Sequence, residues 1–171
     1  MSSSDETEET DEYRRAELKA MRLLGRRGHA TGELERKLSE RGFSDSVIEE
    51  VCEELKERGD LDDRRFAVYQ GEILLRKNWG PRQIRAKLRK RGVDDEIIDH
   101  ALLEIADDGA WLSACYERAT SKYGSEPEDF DRSTVERAYR HLDHRGFRAS
   151  TIRRVLLDGA RPEDADSSGA Q

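Results

Sequence analysis

At 171 residues, with 35% hydrophobic and 40% charged side chains, the chain is ill suited to one thick globular core and well suited to thin helical units that each bury one apolar stripe. No apolar run approaches the ~20 residues needed to cross a bilayer, and residues 1–12 lack the cationic start and apolar stretch of a signal peptide, so no membrane association and a cytoplasmic location are expected. The formal net charge of −7 divides unevenly: residues 1–12 carry six acids and no base, residues 158–171 carry −3, and residues 13–157 are left at +2.

Taken in chain order, residues 1–12 are expected to form a short disordered acidic tail, because they hold too little apolar surface to order themselves. The first helix is then expected at about Tyr13–Arg27, the second at Thr31–Arg41 and the third at Asp45–Arg58. The same pattern returns at Asp63–Lys77, Pro81–Arg91 and Asp95–Ala106, and again at Trp111–Tyr123, Thr134–Arg145 and Ser150–Leu157. A second acidic tail, 159–171, closes the chain.

Shifting the sequence by 50 residues superimposes Leu34, Leu38, Arg41, Gly42, Val47 and Ile48 on Ile84, Leu88, Arg91, Gly92, Ile97 and Ile98. A further shift of 54 brings Ala138, Leu142, Arg145, Gly146 and Ile152 into the places of Ile84, Leu88, Arg91, Gly92 and Ile98. Periods of this length with helical spacing mean stacked helical units. The expected fold is therefore all-α, an elongated array of three tandem three-helix repeats over 13–60, 61–107 and 108–158. Arginine-glycine followed by an apolar residue ends the second helix of each repeat. Glycine supplies the left-handed turn, and the arginine complements the negative helix end. Ser44, Asp62 and Asp94 mark helix starts, as do Pro81 at a first position and Ser133 with Glu136 as a capping box.

Chemistry for catalysis is missing from the sequence. There is no Gly-Lys dipeptide for a P-loop, and no G-x-G-x-x-G, G-x-S-x-G or H-E-x-x-H. Cys52 and Cys115 read as buried reduced thiols, and His141 and His144 lack the further ligands a metal needs. His29 and His100 read as capping or surface residues. No enzyme, cofactor or metal is expected. Electrostatics offers more. Between Arg76 and Arg91 lie Arg76, Lys77, Arg82, Arg85, Lys87, Arg89, Lys90 and Arg91, with no acid among them. At 100° per residue Ile84 and Leu88 face inward with Arg91 close by, which gives Arg91 a structural role at the helix end. Arg82, Arg85 and Arg89 form an outward stripe, with Lys90 further round, and are the expected contacts for a partner. The alternative is a solvated face balanced by acids of neighbouring helices. Trp79, before Gly80-Pro81, is read either as a wedge between helices or as a surface for stacking, while Trp111 and Tyr116 have the spacing of core residues in the third repeat.

Three stretches resemble the RecX family. They are Arg27–Phe43, with Glu33-Leu34, Lys37-Leu38 and Arg41-Gly42-Phe43; the junction Arg58–Ala67, with Gly59-Asp60-Leu61-Asp62-Asp63 and Phe66; and Lys77-Asn78-Trp79-Gly80-Pro81 followed by Ile84, Leu88 and Arg91-Gly92-Val93. The sequence departs from the family pattern at Thr31-Gly32 and in its third repeat. The resemblance implies a regulator, usually an inhibitor, of the RecA recombinase, acting in recombinational DNA repair and the SOS response. It implies a protein lying in the groove of the RecA–DNA filament, where it hinders extension, ATP hydrolysis and strand exchange, with single-stranded DNA met through the filament. A monomer is expected, since no long apolar stripe is left over. The competing reading is a direct nucleic-acid-binding protein that uses the basic second repeat. The near-neutral body counts against it, because tight autonomous binding needs several phosphate contacts.

Overall fold

The computed structural model describes residues 2–163, with side chains from residue 8 onward. The described residues form nine α-helices and one short 3-10 turn, Pro127–Asp129, with no strand. The helices are α1 Ser2–Leu24, α2 Thr31–Ser39, α3 Asp45–Glu57, α4 Asp63–Arg76, α5 Pro81–Lys90, α6 Asp95–Ile105, α7 Asp108–Tyr123, α8 Arg132–His144 and α9 Ala149–Leu156. The all-α reading holds.

The N-terminal boundary corrects the expectation of a disordered tail over residues 1–12. α1 begins at Ser2 and runs through the acidic stretch. Two effects favour this. Glutamate is a good helix former, and carboxylates near a helix start complement its positive end. Glu12 also fixes α1 to the next hairpin, accepting hydrogen bonds from the Ser44 amide at 2.7 Å and the Ser44 hydroxyl at 3.1 Å. Of the second acidic tail, residues 164–171 lie outside the described residues. Arg161, within the described part, pairs with Glu128 at 2.6 Å.

The substantial helix contacts run within three groups, α1–α3, α4–α6 and α7–α9. Each group surrounds a core. Leu34, Leu38, Val47, Val51 and Leu55 fill the first, Phe66, Ile84, Leu88 and Ile98 the second, and Leu112, Leu142, Phe147 and Ile152 the third. The apolar positions matched by the shifts of 50 and 54 are therefore the same structural positions, three times over. The cores are not sealed from one another. Ala30, just before α2, and Trp111, on α7, both belong to the second core, while Leu75 of α4 also packs on the third. Trp111 thus leaves the third-repeat core expected for it, because the first turn of α7 reaches back over α4–α6.

Gly42, Gly92 and Gly146 adopt φ of +81°, +83° and +90°, the left-handed turns that end α2, α5 and α8. Asp62 accepts from the Arg65 amide as an N-cap at 2.9 Å. The cap of α8 is Asp131, which accepts from the Thr134 amide at 2.7 Å, rather than Ser133. A carboxylate two residues earlier reaches the free amide, and Ser133 becomes helical.

Consecutive groups meet at two joints with the same register. At the first, the Gly92 corner lies on the start of α2, where a Cβ added to Gly32 would be 2.9 Å from the Gly92 oxygen. At the second, the Gly146 corner lies on the start of α5. Here the Gly80 amide donates to the Arg145 carbonyl at 2.9 Å and the Arg82 amide to the Gly146 carbonyl at 3.1 Å. Gly80 has φ −79°, which any residue adopts, so its missing side chain serves space alone. A Cβ there would overlap the backbone of Gly146 and Phe147.

Two outcomes are expected. Leu38→Ala and Leu88→Ala each remove a fully buried side chain and should cost about 2–5 kcal/mol in denaturant unfolding. Gly80→Ala should open the second joint while the individual cores survive. Hydrogen exchange at the Gly80 and Arg82 amides should accelerate, with helicity by circular dichroism little changed.

Candidate interaction surface

The long acid-free run of the sequence folds into the end of α4, the following turn and α5, and the structure separates its members by their partners. Arg82 is tied to the third group: it pairs with the Asp143 carboxylate and donates to the carbonyls of Asp143 at 2.9 Å and Phe147 at 3.1 Å. Arg85 pairs with Asp99 of α6 and lies 3.9 Å from Asp95. Arg89 donates to both carboxylate oxygens of Asp95, at 2.7 and 2.8 Å. The outward stripe therefore exists, but each of its guanidiniums already faces a carboxylate. Arg82 also helps to close the second joint, so replacing it would disturb the fold as well as the stripe.

Other members of the run keep more of their charge for solvent. Arg76 is exposed and only loosely paired with Glu72, at 3.9 Å. Lys77 and Lys90 are exposed, and neither they nor Lys87 enter the ion pairs found among the described residues. Lys87 instead lies over the Trp79 ring, 4.3 Å from its centroid, and Arg145 stacks on the same ring at 3.5 Å. Trp79 packs half-buried against the second core. It is the wedge of the two expected readings, extended into a seat for the arginine of the next group, whose guanidinium also donates to the Asn78 carbonyl at 3.2 Å.

The most strongly organised charge is one that the sequence pattern did not single out. Glu33, with a side chain only 4% exposed, accepts from Arg91 at 2.6 Å and from Arg27 through both of its oxygens. Burial acts to raise the pKa of this carboxyl, but the hydrogen bonds and charges of the two arginines outweigh it and bring it to about 2. Arg91 also lies over Phe66. Its expected structural role is correct in kind, yet it acts across the first joint rather than on its own helix end. His29, read as a capping or surface residue, is buried beside this cluster, with Nδ1 at 3.0 Å from the Arg27 carbonyl, and burial lowers its pKa. His141 accepts at Nε2 from Arg118 at 3.0 Å. Both cysteines are buried, and desolvation pushes the Cys115 thiol up to about 12.

Comparison with known proteins follows the same boundaries. Residues 16–55 match the first three-helix domain of RecX and residues 62–102 match its second three-helix domain. The regulatory protein RecX of Halorhodospira halophila is 36% identical over 134 residues, covering 78% of this chain and 81% of that protein. The chain belongs to the RecX family. The regulatory protein RecX of Pseudomonas entomophila is 39% identical over 140 residues, 80% of this chain and 86% of that one. The crystal structure of RecX from Lactobacillus salivarius superimposes with a TM-score of 0.77 at 21% identity, covering 87% of this chain and 97% of that one, and so shares its fold. Membership of the RecX family makes this chain a regulatory protein, and no described helix is long and apolar enough to cross a membrane.

The Glu33 cluster carries a signed pH dependence. Because the folded-state pKa lies below that of an unperturbed glutamate, its stabilisation is complete above the unfolded pKa and is lost as pH falls toward about 2. Glu33→Gln should lower stability at neutral pH by about 1–3 kcal/mol. Thermal melts of the two proteins should converge as the pH is lowered through this window.

Proposed function

We propose that this protein binds the RecA–DNA filament in its groove and inhibits filament extension, ATP hydrolysis and strand exchange. The observation that carries the reading is the ordered pair of RecX domains on a chain whose three cores follow one another through two joints. Such an array presents a long surface relative to its mass, as groove binding requires. The protein acts as a cytoplasmic monomer without a catalytic step of its own, and its site of contact is the basic face around α5. Lys77, Lys87 and Lys90 bring charge outside the ion pairs found among the described residues, Arg76 is held only loosely by Glu72, and Arg85 and Arg89 contribute by sharing Asp95 and Asp99 with the filament. Single-stranded DNA is met through the filament. An independent grip on DNA is disfavoured by Trp79, since its ring is already stacked by Lys87 and Arg145 and offers no platform for a base.

The test is RecA-catalysed ATP hydrolysis on single-stranded DNA with this protein titrated in. Inhibition is expected well below the concentration at which the protein alone binds the same DNA, and added salt should weaken it. Arg76→Glu/Lys77→Glu should reduce inhibitory potency by about tenfold with helicity unchanged. DNA binding at or below the inhibitory concentration would instead favour the direct nucleic-acid reading.

A further inference from the structure

At the first joint, two groups of helices enclose a cleft of about 470 Å³, which shares Lys87 and Lys90 with the basic face of the proposed function and has no occupant assigned by it. Its walls come from the α1–α2 turn and α2 on one side and from α4 and α5 on the other. Five cationic side chains line it, Arg27, Arg36, Lys87, Lys90 and Arg91, together with a single acid, Glu33. That acid is committed. Its two oxygens are held by Arg27 and Arg91, which remain 45% and 36% exposed and keep N–H groups to spare. The other three cations are hardly neutralised. Arg36 is 3.8 Å from Glu40, both well exposed, while Lys87 and Lys90 enter no ion pair among the described residues. Such convergence of like charge around a concavity is costly unless an anion shares it.

We propose that this cleft is a binding site for an acidic peptide segment, one or two carboxylate side chains beside an apolar residue. Three features select that class. Glu33 demonstrates the geometry, since Arg27 and Arg91 already converge on a carboxylate there. Leu74 and Leu88 contribute an apolar part to the lining, beside Gln70, which suits a peptide side chain and gives nothing to a sugar-phosphate backbone. No aromatic ring lines the cleft, so an unstacked base would find no platform. The site is composite. Arg36 belongs to α2 and Lys90 to α5, so the two walls are brought together only while the first joint is closed. The proposal rests on the filament reading solely for where such a segment would be encountered.

The experiment uses the full chain and no RecA, so its failure is separate from failure of the filament reading. The probe is a fluorescein-labelled eight-residue peptide of alternating aspartate and leucine, with the asparagine-leucine peptide as control and unlabelled oligothymidylate as competitor, read by fluorescence anisotropy. The acidic peptide should bind, salt should weaken it, and the amide peptide should bind at least about tenfold more weakly. Arg36→Glu/Lys90→Glu changes one exposed residue on each wall, and neither takes part in the Glu33 cluster. It should weaken acidic-peptide binding by at least about tenfold with an unchanged melting temperature. Equal affinity for the two peptides, unchanged binding by the double variant, or no binding by the wild type would overturn the proposal. Efficient displacement by oligothymidylate, lost in the double variant, would assign the cleft to nucleic acid instead and overturn it equally.

Discussion

The close approach of backbone to backbone at the two joints governs how three small cores share one chain. At each joint the glycine corner that ends the second helix of one group lies on the start of the second helix of the group before it. Side chains at these contacts would hold the groups apart. Once the backbones touch, the arginine beside each glycine is delivered into the preceding group: Arg91 onto Glu33, and Arg145 onto Trp79 and the carbonyls behind it. One turn motif thereby ends a helix, spaces a joint and inserts a cation. The two insertions differ in chemistry, a buried carboxylate in one case and an aromatic face with carbonyls in the other, although the backbone register is shared.

The same geometry determines which charges remain open to a partner. α5 is the middle helix of the array, and acids of α6 and α8 surround the guanidiniums on its outer side. Its lysines, and the arginines of the first joint, meet far fewer acids. Counting charge along the sequence makes all eight basic residues between Arg76 and Arg91 look equivalent. Folding sorts them into fasteners, such as Arg82 and Arg91, neutralised neighbours, such as Arg85 and Arg89, and exposed groups, such as Lys77 and Lys90.

The periodic features were legible because their causes are local. Helix bounds from α2 to α9 fall within three residues of those expected, since the Arg-Gly corners, Asp62 and Pro81 act on the turn where they stand. The helical start of α1 was not legible from composition, because Glu12 gains its role by reaching Ser44, 32 residues away. Nor could sequence show that Arg82 meets Asp143 or that Arg91 meets Glu33, pairings separated by 61 and 58 residues. Trp111 was misassigned for a related reason: helical spacing says that a residue is buried, not which core receives it. The stripe on α5 was correctly placed on the surface, while its neutralisation depended on how α6 turns back beside it.

The Glu33 cluster also bears on how the chain folds as it leaves the ribosome. Synthesis delivers Glu33 long before Arg91, which follows 58 residues later. In the interval Arg27, only six residues from Glu33, can hold the carboxylate by itself. The nascent first group can therefore close its core without stranding a bare negative charge inside it. The carboxylate is thus supplied with one partner from its own group and a second from the group that follows.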